Sequence, residues 1–125
     1  MEIKRPIVIN GFRAVLTSAS ELLMQGTIGD VATRDEVRRR LNDVHLHIVS
    51  TRLGRFLVDV HGLEFVDSSA IRLFVDLTAH AEASGYVVVF RIDPRITWQR
   101  LSFAVLQTLA PRRVELEEMG RTPLQ

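Results

Sequence analysis

Hydrophobic residues in this chain fall in short runs whose spacing changes several times. Residues 12–17 and 21–27 read as two strands joined across Ser18-Ala19-Ser20, which predicts a hairpin. Thr33, followed three residues later by Glu36, has the form of a capping box and predicts a helix start. Val37, Leu41, Val44 and Ile48 then recur at helical steps, leaving Arg38, Arg39 and Asp43 turned to water, and Gly54 is the expected stop. Phe56-Leu57-Val58 and residues 86–90 are continuous apolar runs, the pattern of strands buried on both faces of a parallel sheet. Between them, residues 69–84 read as a helix with Ile71, Phe74, Val75, Thr78 and Ala81 on its buried stripe and Gly85 at its end. Asp93-Pro94 turns the chain. A third helix over 97–109 is expected to bury Leu101, Val105 and Leu109 before Pro111 stops it. Val114 and Leu116 alternate with charges, as in a half-exposed last strand. The order β-β-α-β-α-β-α-β predicts an α/β domain with right-handed crossovers. Its core spans about residues 12–117, and residues 118–125 are expected to form a flexible tail.

Composition narrows the function classes. A length of 125 residues with 46% hydrophobic side chains suits one domain over 1–125. Sixteen basic residues against fifteen acidic ones give a net charge of +1, so attraction to nucleic acid or an anionic membrane does not organise the molecule. Arg38-Arg39-Arg40 is neutralised along its helix by Asp35, Glu36 and Asp43 and reads as a solvated face. The absence of cysteine excludes disulfides and thiolate metal sites. No apolar run approaches the roughly 20 residues of a membrane span, and no signal-peptide core is visible, so a cytoplasmic protein is expected. His45 and His47, two apart on a helix, point about 200° from each other and cannot share an ion. His61 and His80 stand alone in the sequence. Asp59 lies inside an apolar strand, where it answers local backbone donors. With Glu64 and Asp67 it makes no nucleophile–base–orienter set, and there is no GxxxxGK phosphate loop. The expectation is a protein that is not an enzyme and needs neither metal nor cofactor.

Asp67-Ser68-Ser69-Ala70 remains, at the junction of a predicted strand and a predicted helix. Short oxygen-bearing side chains there satisfy the unpaired amides of a first helical turn, so a cap explains them at the simplest level. The flanks say more. The run Phe56-Leu-Val-Asp-Val-His-Gly-Leu-Glu-Phe-Val-Asp67-Ser-Ser-Ala-Ile71 resembles the centre of STAS domains, the sulfate-transporter and anti-sigma-factor-antagonist family. There a buried strand ends in aspartate, and a short apolar link leads to Asp-Ser-Ser-Gly opening a helix. Asp93-Pro-Arg-Ile before an amphipathic helix is similar too, and the resemblance spans about residues 12–117. Three features depart from the pattern: Ala70 stands where the antagonists usually carry glycine, the third helix ends in Gln107-Thr-Leu-Ala-Pro111 instead of a glycine-leucine turn, and Trp98 is not part of it.

The resemblance implies a single STAS-like domain, a mixed and mostly parallel sheet packed with amphipathic helices. It also implies a regulator that acts by binding other proteins. In the antagonists the serine after the second aspartate is phosphorylated by a partner kinase, and that position here is Ser68, supported by Asp67 and Ser69. The implied partners are a serine kinase of the histidine-kinase-like ATPase fold, acting as an anti-sigma factor, and a serine phosphatase. The alternative is an unmodified STAS subunit of a signalling scaffold or of an ABC-transporter ATPase complex. Because the matching positions Ala70 and Ile71 are not Glu or Gln, the helix start is expected to keep amides free for a phosphate. Phosphoserine adds about −1.5 to −2 charges, and desolvating them against a partner costs several kcal/mol when unpaired. Ser69 is expected to be more buried than Ser68 and mainly structural. Ala70, Ile71 and Arg72, with Arg95 and Trp98 at the next helix start, are expected to share one partner surface. Arg72 and Asp76 are also spaced for an i,i+4 ion pair.

Overall fold

The computed structural model describes residues 2–120. Ten elements follow one another: a 3-10 turn (Glu2–Lys4), β1 (Ile7–Ile9), β2 (Phe12–Ser18), β3 (Glu21–Ile28), α1 (Val31–Thr51), β4 (Arg55–Val66), α2 (Ser68–Ser84), β5 (Val87–Ile92), α3 (Thr97–Leu109) and β6 (Val114–Glu118). The six strands form one sheet in sequence order. The β1–β2 and β2–β3 pairs are antiparallel, and β3 to β6 run parallel. The expected hairpin is β2–β3. It depends on Gly26, whose φ of +97° and whose contact with β1's turn admit no side chain: a Cβ there would sit 1.9 Å from the Gly11 carbonyl oxygen.

Three successive crossovers of one hand lay all three helices on one face of the sheet. The core lies between these layers. Phe56, Val58 and Val60 of β4, Val88 and Phe90 of β5 and Val114 of β6 meet the helices from below. Phe74, Phe90 and Phe103 join α2, β5 and α3, their ring centroids 4.9–6.0 Å apart. The one-sided stack corrects the expectation of strands buried on both faces. The second face of β4 and β5 is buried only in part, with half-buried Leu57 and Val87 and buried Val89 beside an ion network. There Arg91 reaches Asp59 at 3.1 Å and Glu117 at 3.3 Å, and Arg55 grips Glu115 with two bonds of 2.6 and 2.7 Å. Asp59, 3% exposed, does accept the local His61 amide at 3.1 Å, but the Arg91 cation is its larger partner.

Helix faces and ends also differ from expectation in places. Asp30, not Thr33, caps α1: its carboxylate accepts the Thr33 amide at 2.8 Å and the Thr33 hydroxyl at 2.9 Å, while Glu36 pairs with Arg39. The helix closes on Arg52 in the left-handed region (φ 56°), two residues before Gly54. Gly85 ends α2 as expected, with φ 81°. The buried stripe of α2 is Ala70, Leu73, Phe74, Leu77, Thr78 and Ala81, turned slightly so that Ile71 and Val75 sit at its margin. The third helix has the expected bounds but the opposite orientation. Gln99, Phe103 and Leu106 are buried, whereas Leu101, Val105 and Leu109 are 58, 56 and 65% exposed. Phe103 takes the core position because it completes the aromatic trio, and the three-residue stripe of Leu101, Val105 and Leu109 is left at the surface. At the C-terminus Glu118, the first residue of the expected tail, closes β6, and the Met119 amide donates to Ile92 at 2.7 Å. The remainder of the expected tail, 121–125, lies outside the described residues.

Candidate functional site

The C-terminal ends of β3, β4 and β5 deliver the starts of α1, α2 and α3 to one edge of the sheet. The turn before β2 joins them there, as Asn10 donates to Asp30 at 3.3 Å and Thr27 donates its amide to Gly11 at 3.2 Å. The predicted site residues fall on this edge.

Asp67 is its centre. It sits just past β4, anchored by its own amide to the Ile28 carbonyl at 3.0 Å. One carboxylate oxygen accepts the Ala70 amide at 2.9 Å and the Ser69 hydroxyl at 2.7 Å. The other accepts Arg34 of α1 at 3.0 Å. The Ser69 hydroxyl, the Ala70 amide and the Arg34 cation together hold this carboxyl below the usual carboxylate range. The expected contrast between an occupied first helix start and an open second one is therefore corrected. Both are capped by an aspartate. Among the described residues, the amides of Ser68 and Ser69 nevertheless have no hydrogen-bond acceptor.

Ser68 opens α2 and is exposed, and among the described residues its hydroxyl has no hydrogen-bond partner. Ser69 is exposed as well, contrary to expectation. What separates the two serines is bonding: the Ser69 hydroxyl is committed to Asp67 and the Ser68 hydroxyl is free. Ala70 is fully buried and lies under the site instead of on its surface. Ile71 is half-buried and Arg72 exposed, with no ion pair between Arg72 and Asp76. Arg95 reaches into solvent but is tied back to Asp93 by bonds of 3.0 and 2.9 Å from its guanidinium. Those bonds, the Arg95 amide and the charge on Arg95 hold the Asp93 carboxyl low. Trp98 is half-buried, packs against Phe103 and donates its indole N–H to the Glu64 carbonyl at 3.0 Å. It thereby links the start of α3 to the end of β4, just before Asp67.

Three participants were missed in the sequence. Arg34 is a single arginine among many, and only the fold shows that it bridges α1 to α2. Phe65 is 53% exposed beside Gly29 on the same edge. Gln99 is fully buried: its amide nitrogen lies 2.8–3.1 Å from the carbonyls of Val60, His61 and Leu63, and its oxygen accepts the Asp93 amide at 2.7 Å. The β4–β5 ladder ends at Asp59 and Arg91, so Gln99 supplies donors on the β5 side of the stretch of β4 that runs on towards Asp67 beside β3. A polar residue inside an apolar helical pattern was the available signal.

The histidines divide as their spacing requires. His45 bonds Tyr86, and His47 bonds the Ala19 carbonyl. His80 and His61 do not stand alone in the fold: His80 stacks on His45, and His61 meets Asp59 at 2.5 Å. Among the described residues, no group of three or more His, Cys, Asp or Glu side chains could hold a metal ion, and no helix is long and apolar enough to cross a membrane.

No protein-family model and no curated protein matches this sequence. Solved structures do match. One is the anti-sigma factor antagonist SpoIIAA in its unphosphorylated form, with a TM-score of 0.56 over 89% of each chain at 16% identity. This chain has a STAS-like fold. At that identity the likeness is one of architecture. It aligns most of the two chains, and what the edge does must be argued from its own residues.

Proposed function

We propose that this protein is a non-enzymatic regulator that binds other proteins through the strand-end edge and is switched by phosphorylation of Ser68. The observation that carries the reading is the division of labour between the two serines. Asp67 and Ser69 complete the cap between them, so Ser68 is spared any structural duty and offers a free, exposed hydroxyl at the helix start. A modifying enzyme can reach it without unfolding the turn. Once phosphorylated, it would stand next to the unclaimed first-turn amides, which favour an anion, and beside the like charge of Asp67. The helix would tolerate the group, whereas a partner packed on the edge would have to desolvate it. The likeness to an anti-sigma factor antagonist supports this kind of role. The partners that fit are a serine kinase of the histidine-kinase-like ATPase fold and a serine phosphatase, in a cytoplasmic setting. Nucleotide belongs to the kinase, and this chain needs no cofactor. Ile71, Arg72, Arg95 and Trp98, with Phe65, supply the contact surface.

The test is a partner captured from the native cell and then measured against variants. Ser68→Asp is expected to remain folded by circular dichroism and to bind more than about tenfold more weakly, some 1.4 kcal/mol. Ser68→Ala is expected to bind and to resist kinase-driven release. A folded Ser68→Asp protein that binds like the wild type removes the electrostatic switch.

A further inference from the structure

The interface between α1 and α2 is fastened at two places of opposite chemistry. At the strand-end edge Arg34 of α1 pairs with Asp67. About three helical turns further along both helices, the imidazoles of His45 and His80 stack face to face, with ring centroids 4.3 Å apart and planes 20° from parallel. The Nδ1 atom of His45 lies 2.8 Å from the hydroxyl of Tyr86, a residue only 3% exposed. Burial pushes the Tyr86 phenol up to about 12, so it stays neutral and keeps a hydrogen to donate, and His45 Nδ1 is the one acceptor that hydrogen has among the described residues. Were Nδ1 protonated, the Tyr86 hydroxyl would have to turn and accept, and its own hydrogen has no other acceptor among the described residues.

We propose that the His45–His80 stack is a proton-sensitive clamp between α1 and α2, closed while His45 is neutral and loosened when it takes up a proton. Neutral rings stack at no electrostatic cost, whereas two imidazolium rings at this separation repel, and one imidazolium loses water against its neighbour. The charged groups around the stack offset this only in part, since His45 is held low despite them. On α1, Arg38 and Arg39 are bonded to Asp35 and Glu36. On α2, Asp76 lines the groove between the helices beside His80, and Tyr86 ahead of β5 is neutral. Burial first, and the His80 charge second, hold His45 below the ordinary imidazole value. The unfolded chain therefore binds more protons than the folded one just below about pH 6.5. The stabilisation is complete above that pH and is lost as the pH falls through the depressed value of His45. The loosened end is the C-terminal half of α2, while the Arg34–Asp67 pair still holds the other end.

The experiment compares wild type, His45→Gln, His80→Gln and the double variant, each titrated by NMR and melted at pH 7.5 and 5.5. His47 and His61 are common to all four proteins and cancel in the cycle. With His80→Gln, the midpoint of His45 is expected to rise by about half a pH unit or more. Wild type is expected to lose more thermal stability on acidification than either single variant, and amide exchange at pH 5.5 should rise over residues 78–84 more than over 68–72. An unchanged His45 midpoint in His80→Gln, or equal pH dependence in all four proteins, overturns the clamp. If His45→Gln does not fold, the His80→Gln titration alone decides.

Discussion

The starts of α1 and α2 are built to one plan but place their hydroxyls differently. Each is capped by an aspartate, Asp30 or Asp67, whose carboxylate accepts the amide three residues on. Each carboxylate also takes a hydroxyl from the first turn, Thr33 in α1 and Ser69 in α2. Both aspartates are held low by these bonds. Immediately after the cap, α1 exposes Val31 and α2 exposes Ser68. A capped helix start is thus ordinary in this molecule. What marks α2 is a spare hydroxyl at the one position where the cap does not need it. The two also differ in support. The end of β3 is paired on both sides, with Gly26 against Phe12 of β2 and Ile28 against Val66 of β4. The end of β4 has outrun β5 and leans on Gln99.

The difference in support gives the largest expected effect. Gln99→Leu leaves buried carbonyls of β4 and the Asp93 amide without their partner, a loss of about 3 kcal/mol or more in denaturant unfolding. Amide exchange in the surviving fold should quicken at residues 66–72 and stay slow at 30–36, and equal quickening would show that the two starts are supported alike. At the distinguishing position, Ser68→Asp and Val31→Asp place the same charge in the same helical setting. Both should fold, and partner affinity should fall more than about tenfold for the first and less than about twofold for the second. Equal losses would make the whole edge, not Ser68, the sensitive element. Ala70→Gly, which introduces the glycine usual in the antagonists, should cost about 1 kcal/mol of stability, since the residue is already helical and buried. Acid titration should expose the caps together. A carboxyl with a depressed folded value stabilises fully above its unfolded value near 3.8 and loses that contribution as the pH falls through the folded one. Asp67→Asn should therefore flatten the acid limb of the stability curve, as should Asp30→Asn, and a limb unchanged in both would mean that other carboxylates govern it. The smallest effect belongs to α3. Leu101→Ser should change stability by no more than about 0.5 kcal/mol, because the side chain is at the surface; a core-sized loss would contradict that placement.

The sequence revealed elements better than faces. Alternation and apolar runs located β2 to β6, and Gly85 and Pro111 bounded the helices, because these signals are local. Strand β1 was passed over: Ile7–Ile9 is three residues long, and what makes it a strand is its pairing with Phe12–Ala14. In α3 the apolar residues allow two stripes. The choice of Phe103 over Leu101 and Val105 is made by Phe74 and Phe90, which are distant in sequence. At the site, Asp67-Ser68-Ser69 was legible as a motif, and its position at a strand end followed from the periodicity on either side. Its electrostatics were not legible. Arg34 is 33 residues away, and Thr33-x-x-Glu36 imitated a capping box that Asp30 had already made unnecessary.

The central claim is that the hydroxyl freed from capping is the one that is modified. Phosphosite mapping of the protein isolated from its native cell, with the partner kinase confirmed active, tests it most directly. Phosphate is expected on Ser68, with Ser69 bare. Phosphate confined to Ser69, or absent from both residues, would contradict the account.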